Sequence, residues 1–214
     1  MNLKKIIFAL LFTVFGILLS QIKLTNLAGS NVNFTMFDAY APITGSFLGT
    51  IWGIISVALI QLANLLLNPS AVVDWGFIIR LLPTAFAVIY FSKKTKFNWI
   101  IPIIAIIAFN LHPIGKTVWF YSLFWLIPVI ANFFWNKSLI VKSLGATFAA
   151  HSVGGAIWIY MFNLSTEVWI SLIPVVMIER LMFAAGIAGS YLITKKIVEY
   201  LPESVLINHE VHQD

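Results

Sequence analysis

Apolar runs separated by short polar or basic breaks account for most of this chain. They cover residues 5–21, 42–67, 75–92, 99–111, 118–135, 138–162 and 168–193. Crossing the hydrocarbon core of a bilayer takes about 20 consecutive apolar residues in a helix. This pattern predicts an all-α, polytopic transmembrane bundle of six or seven helices. The run 42–67 is long enough to cross with tilt. The run 99–111 is short for a crossing and predicts a broken or re-entrant helix, interrupted by His112, Pro113 and Gly115. Between the first two runs, residues 22–41 carry Asn26, Gly29, Ser30, Asn31, Asn33 and Asp38 and are expected to be too polar to cross. Residues 1–196 read as one membrane domain, and 197–214 as a polar tail.

Composition agrees with that pattern. Sixty per cent of residues are hydrophobic, 10% are charged, and the mean hydropathy is +0.95. A soluble domain carries about 25% charged residues. In water this chain would expose enough apolar surface to aggregate. Absence of cysteine excludes disulfides and thiolate-held metals. The net charge of +5 comes from lysines spread over short loops, so it marks topology rather than a nucleic-acid stripe. Lys4 and Lys5 followed by an apolar run match either a signal peptide or a first helix. The helix is preferred because no small-x-small cleavage site follows.

Lysine placement gives two conflicting topologies when 22–41 is treated as a loop. Six spans place Lys4 and Lys5 inside but Lys93, Lys94 and Lys96 outside. Seven spans reverse both groups. Trp75, Trp99, Trp119, Trp135 and Trp169 fall near expected span ends, where indole favours the headgroup region. Trp52 and Trp125 fall mid-span and face lipid, a packed neighbour or a cavity.

Several residues could carry chemistry. Gly45, Gly49 and Gly53 repeat every four residues and would share one helix face, suited to helix packing or partner docking. Gly154 and Gly155 in the sixth run, and Ala185 and Gly189 in the last, extend the same small-residue theme. Arg80, Glu179 and Arg180 are ionisable groups within apolar runs, where charges are costly and usually face a cavity or a partner. Glu179 is expected to face the bundle and to pair with an arginine or contact a ligand, with Arg180 about 100° away from it. His151 shares its face with Trp158, Gly154 and Gly155. Around the breaks lie Asp38, which could instead cap the second span, Tyr40 and His112. The candidate substrate-binding set is therefore Asp38, Tyr40, Trp52, Arg80, His112, His151, Trp158 and Glu179. No GK[ST] phosphate loop, H-E-x-x-H or G-x-S-x-G motif occurs, and no cofactor or metal is expected.

The stretch FTMFDAYAPITGSFLGTIWGIISVALIQLANLLL resembles the early part of the substrate-binding S components of energy-coupling-factor vitamin transporters. The closing stretch IPVVMIERLMFAAGIAGSYLITKK is similar to that family's last helix. The resemblance implies an S-component-like fold with a small-molecule site on the outer side, roofed by 22–41 and by the turn at 163–167. It also implies a transmembrane coupling subunit and separate ATPases as partners. Two other classes remain open on sequence: a membrane enzyme acting on a lipid-linked substrate through His151, Glu179 and Arg80 or Arg180, and a scaffold that oligomerises through its glycine faces.

Overall fold

The computed structural model describes residues 3–26, 33–67 and 75–200, the side chains of 3–5, 26 and 75–80 excepted. It is all-α apart from one small hairpin. In chain order it comprises α1 (Leu3–Ser20), β1 (Lys23–Asn26), β2 (Asn33–Thr35), two 3-10 turns (Met36–Ala39 and Ala41–Ile43), α2 (Thr44–Leu48) and α3 (Thr50–Leu67). There follow α4 (Trp75–Ser92), α5 (Phe97–Leu111), α6 (Pro113–Thr117), a 3-10 segment (Trp119–Trp125), α7 (Leu126–Phe133), α8 (Leu139–Met161) and α9 (Thr166–Tyr200). The strands pair antiparallel, with Lys23 opposite Thr35 and Asn26 opposite Asn33.

Helix α8 is the centre. It packs on α4, α5, α7 and α9, and its run from Gly145 to Ala149 is buried on every face. Small residues make this close packing feasible, since cohesion without water depends on near approach of backbones. Gly145 lies against the Tyr90 hydroxyl, and Gly155 leaves 2.6 Å between its absent Cβ and the Trp125 ring. The Tyr90 hydroxyl donates to the Pro128 carbonyl at 2.8 Å and the Trp135 indole donates to the Tyr90 carbonyl, also at 2.8 Å, tying α4 to α7 and the turn after it.

The polar stretch 22–41 is not a simple loop. Helices α1 and α3 run parallel: Gly16 meets Ile60, and one turn on Gln21 donates to the Asn64 side chain at 2.9 Å. Between them the chain turns back through the bundle along α9. Thr25 pairs with Glu179, Phe34 with Phe183, Ala39 with Gly186, and Phe47 with Tyr191. This returning segment is tolerable inside because its turns satisfy their own backbone groups and Phe37 and Ala39 through Gly45 are buried. Lys4, Lys5, Lys93, Lys94, Lys96, Lys137, Lys142, Lys195 and Lys196 therefore gather at one end, leaving Lys23 and Lys116 at the other. The conflict between the two lysine tallies arose from treating 22–41 as a loop that stays on one side.

Two further expectations are corrected. The run 42–67 is not one helix. It breaks at Gly49, whose φ of 83° is a left-handed conformation that glycine adopts without strain. Gly45, Gly49 and Gly53 consequently do not form a single stripe. Helix α2 folds back on α3, and Gly53 faces the backbone of Gly45 at 2.7 Å, while Gly45 also abuts Val88 and Ser92 of α4. The run 118–135 is likewise not one helix but a 3-10 segment followed by α7.

Among the described residues, Thr50–Leu67 and Thr166–Tyr200 are long and apolar enough to cross a membrane. The outer surface is oily in helical register: Ile51 is 72% exposed, Leu66 73% and Ile178 70%, with Leu10, Leu11 and Leu18 of α1 similarly bare.

Gly53→Ala should destabilise the protein by about 1–3 kcal/mol, because the new methyl meets backbone rather than a movable side chain. Gly189→Ala, with open space around it, should leave stability unchanged. Thermal unfolding in detergent distinguishes the two.

Candidate functional site

One stripe of α9 carries Trp169, Leu172, Val176, Glu179, Phe183 and Ile187, spaced three or four apart and so lying on one face. Opposite stand His151, Gly154 and Trp158 of α8, Pro83 and Thr84 of α4, and Tyr121 of the 3-10 segment. Phe34 and Asp38 of the returning segment close the end near the hairpin. Together they line a partly open cavity of about 140 Å³ with a mostly apolar, aromatic lining. It exists because α8 places small residues here, Ala150 and Gly154: Gly154 has only Pro83 near its absent Cβ, at 3.4 Å.

A buried ion pair forms the polar wall. Arg180 Nη2 lies 3.4 Å from Glu179 Oε2, and the two residues are only 4% and 8% exposed. Neighbouring helical residues normally diverge by about 100°, and Arg180 was expected to point away. Its side chain instead turns inward, toward Glu179, Thr147 and the rings of Phe34 and Phe183. Thr25 of the hairpin donates to Glu179 Oε1 at 2.7 Å, and Arg180 Nη1 donates to Thr147 at 3.4 Å. The guanidinium carbon sits 4.8 Å from the ring centres of both Phe34 and Phe183, a double cation–π clamp. Asp38 and Tyr121 lie within electrostatic reach of Arg180.

A second chain of polar groups runs through the aromatic wall. The Trp125 indole N–H donates to His151 Nδ1 at 2.9 Å. Indole nitrogen only donates, so Nδ1 is the unprotonated nitrogen and Nε2 carries the hydrogen. Nε2 is 3.2 Å from the Tyr121 hydroxyl and donates to it. Tyr121 thus keeps its own O–H as a donor. Trp169 Nε1 and Arg180 Nε are buried behind the lining, without a hydrogen-bond partner among the described residues.

Of the sequence-derived candidates, the structure brings together Asp38, His151, Trp158 and Glu179. Asp38 does cap, but not the second span: its carboxylate accepts the Thr35 backbone N–H at 2.7 Å and so caps the first 3-10 turn. Three candidates lie elsewhere. Tyr40 is in the core, its hydroxyl donating to the Phe12 carbonyl at 3.3 Å. Trp52 is 42% exposed on the outer surface. His112 caps α6 through the Ile114 N–H and packs edge-on against Tyr160. The Arg80 side chain lies outside the described residues, as does that of Trp75. Trp169, expected at a headgroup boundary, is instead 2% exposed and stacked in the aromatic wall. Sequence reasoning missed Tyr121, Thr25 and Phe34 as site residues, since they reach the cavity through a 3-10 segment and a returning hairpin that helical periodicity does not encode. Gly45, Gly53 and Gly155 are taken up in packing, and Gly154 borders the cavity, whereas Ala185 is exposed and Gly189 is open.

Comparison with known proteins adds little beyond this geometry. No protein-family model matches the chain. It is 25% identical over 174 residues to the uncharacterized protein MJ0923 of Methanocaldococcus jannaschii, an alignment covering 72% of this chain and 58% of that protein. The chain therefore spans little more than half the length of this relative. No solved structure matches.

Arg180→Met should cost about 3–5 kcal/mol, since it strands the Glu179 carboxylate in the interior. The double change Glu179→Gln with Arg180→Met should recover most of that loss. Denaturant or thermal unfolding in detergent micelles measures both, and equal destabilisation in the two variants would refute the pairing.

Proposed function

We propose that this chain is a membrane-embedded substrate-binding subunit for a small molecule, held in the cavity between α4, α8 and α9. The observation that carries the reading is an aromatic, mostly apolar cavity with the buried Glu179–Arg180 pair in its wall. Small-molecule sites have this composition: apolar walls with a few polar groups aimed inward.

The distribution of lysines supports an orientation. Cytoplasmic loops carry the excess of Lys and Arg, so the end holding Lys4, Lys94, Lys137 and Lys195 is inside. The hairpin end, beside which the cavity lies, then faces outward. In this arrangement seven helical passages and the irregular returning segment 36–49 cross the bilayer, and both ends of the described chain lie inside. The long exposed apolar surface suits lipid contact. Delivery of the bound molecule across the membrane requires a coupling subunit and ATPases, as in the energy-coupling-factor transporters that parts of the sequence resemble. Ala185, which is exposed, and Gly189, which has open space beside its absent Cβ, are the small residues available on α9 for such a partner.

Absence of native cysteine makes single-cysteine labelling free of background. In intact cells, Lys116→Cys should react with an impermeant maleimide and Lys94→Cys should not until the membrane is opened. Reaction of both from the same side would refute the orientation.

Mass spectrometry of molecules co-purifying with the detergent-solubilised protein tests the binding reading. Wild type should retain a small molecule. Gly154→Leu, whose side chain enters the cavity, should lose it while unfolding at a similar temperature. Repeated folded wild-type preparations without any such molecule, or its retention by Gly154→Leu, would overturn the reading.

A further inference from the structure

We infer that the corner where the α4–α5 turn meets the α7–α8 turn binds an anionic phospholipid, with its phosphate among Lys93, Lys94, Lys96 and Lys137 and its acyl chains along α5 and α7. None of these lysines lines the cavity, and lipid at this corner requires no ligand there. Three observations carry it.

The first is that the two turns are joined. The Trp135 indole donates to the Tyr90 carbonyl at 2.8 Å, and Asn98 Nδ2 donates to the same carbonyl and to that of Lys93, each at 3.3 Å. The Lys142 ammonium sits 3.9 Å from the ring centre of Trp135 and 4.3 Å from that of Phe91, which holds a further positive charge beside both turns. Lysines distant in sequence therefore share one corner.

The second is charge without a partner. Lysines after a helix commonly cap its last carbonyls. Here other donors do so: the Tyr90 carbonyl takes Trp135 and Asn98, that of Phe91 takes Ser46, and that of Ile89 takes Ser92. Lys93, Lys94, Lys96 and Lys137 are exposed and form no ion pair among the described residues. The sequence holds no Asp or Glu between Asp74 and Glu167, so no carboxylate from α4 to α8 answers them. Lys195, by contrast, has Glu199 at 3.9 Å. Helices α5 and α8 also begin at this corner, and their N-terminal ends add positive partial charge.

The third is the apolar wall beside the lysines. Helices α5 and α7 pack together, and Phe97 and Ile104 of α5 are exposed, as are Ile130 and Phe133 of α7. Each pair lies on one face of its helix. An oily surface alone accepts any lipid. Unanswered cations next to it select a negatively charged headgroup. A soluble phosphate would use the lysines and leave the wall bare, whereas an anionic phospholipid uses both.

The test is native mass spectrometry of the full chain in detergent, titrated with dioleoyl phosphatidylglycerol or dioleoyl phosphatidylcholine. Phosphatidylglycerol should bind about tenfold tighter. Combined Lys93→Gln, Lys94→Gln, Lys96→Gln and Lys137→Gln changes should bring the two lipids to within about twofold of each other. Lys195→Gln with Lys196→Gln should keep the preference, and glycerol 3-phosphate should not displace the lipid. All of these substitutions fall on exposed side chains, so the variants should unfold at the wild-type temperature. Equal affinity of wild type for the two lipids would overturn the inference, as would a preference that survives the fourfold change or falls equally in the Lys195 and Lys196 variant. Displacement by glycerol 3-phosphate would replace the lipid with a soluble phosphate. A preference seen only after Glu203→Gln, Glu210→Gln and Asp214→Asn would assign the corner to the acidic tail instead.

Discussion

Two charges buried next to each other on α9 set the terms for this fold. Removing a carboxylate and a guanidinium from water is costly, and the pair is stable only if further polar groups reach it. The helix itself cannot supply them. Thr147 arrives from α8, Thr25 from the hairpin, and the rings of Phe34 and Phe183 lie against the guanidinium. Meeting that requirement draws the polar segment after α1 inward, down the side of α9, instead of leaving it on the surface. The parallel course of α1 and α3 and the collection of lysines at one end both follow from this path.

The same path shapes the cavity. Phe34 and Asp38 close it only because the hairpin is tied to Glu179, and its far wall depends on glycines in α8 that admit Trp125 on one side and leave room beside Pro83 on the other. Packing that is dense around Gly145 and Gly155 therefore gives way to a gap beside Gly154, one residue earlier. Rigid aromatic rings hold the gap open: Phe109, Tyr121, Trp125 and Trp169 contact each other edge to face at centroid distances near 5–6 Å. Side chains with so few rotatable bonds do not fold into the space they surround.

Much of the all-α fold was legible in the sequence, because long apolar runs between polar breaks mark helices. The positions of α1, α4, α5, α8 and α9, the inward orientation of Glu179 and the company of His151, Gly154, Gly155 and Trp158 on α8 followed from spacing, whereas the runs 42–67 and 118–135 proved broken. What was not legible has definite physical causes. Gly49 has the same composition signal as its neighbours Gly45 and Gly53, and nothing in a periodic count tells a packing glycine from one needed for φ of 83°. Residues 22–41 look too polar to enter the bundle when each residue is counted alone, yet within the described part Asp38 caps the 3-10 turn and Thr25 pairs with Glu179. Trp169 obeyed the positional rule for interfacial indoles and still is buried, because the cavity wall offered aromatic contacts. Tyr40, Trp52 and His112 were plausible by residue type, but residue type carries no information on which way a side chain faces after an irregular turn.

The most direct measurement of this account is an experimental structure of the protein in lipid nanodiscs, prepared without added ligand. The account predicts density for a small molecule in the cavity between α4, α8 and α9, with Thr25 of the hairpin in contact with Glu179 and α1 parallel to α3. A water-filled channel in that position, with the Glu179–Arg180 pair open to solvent and the hairpin lying away from α9, would contradict it.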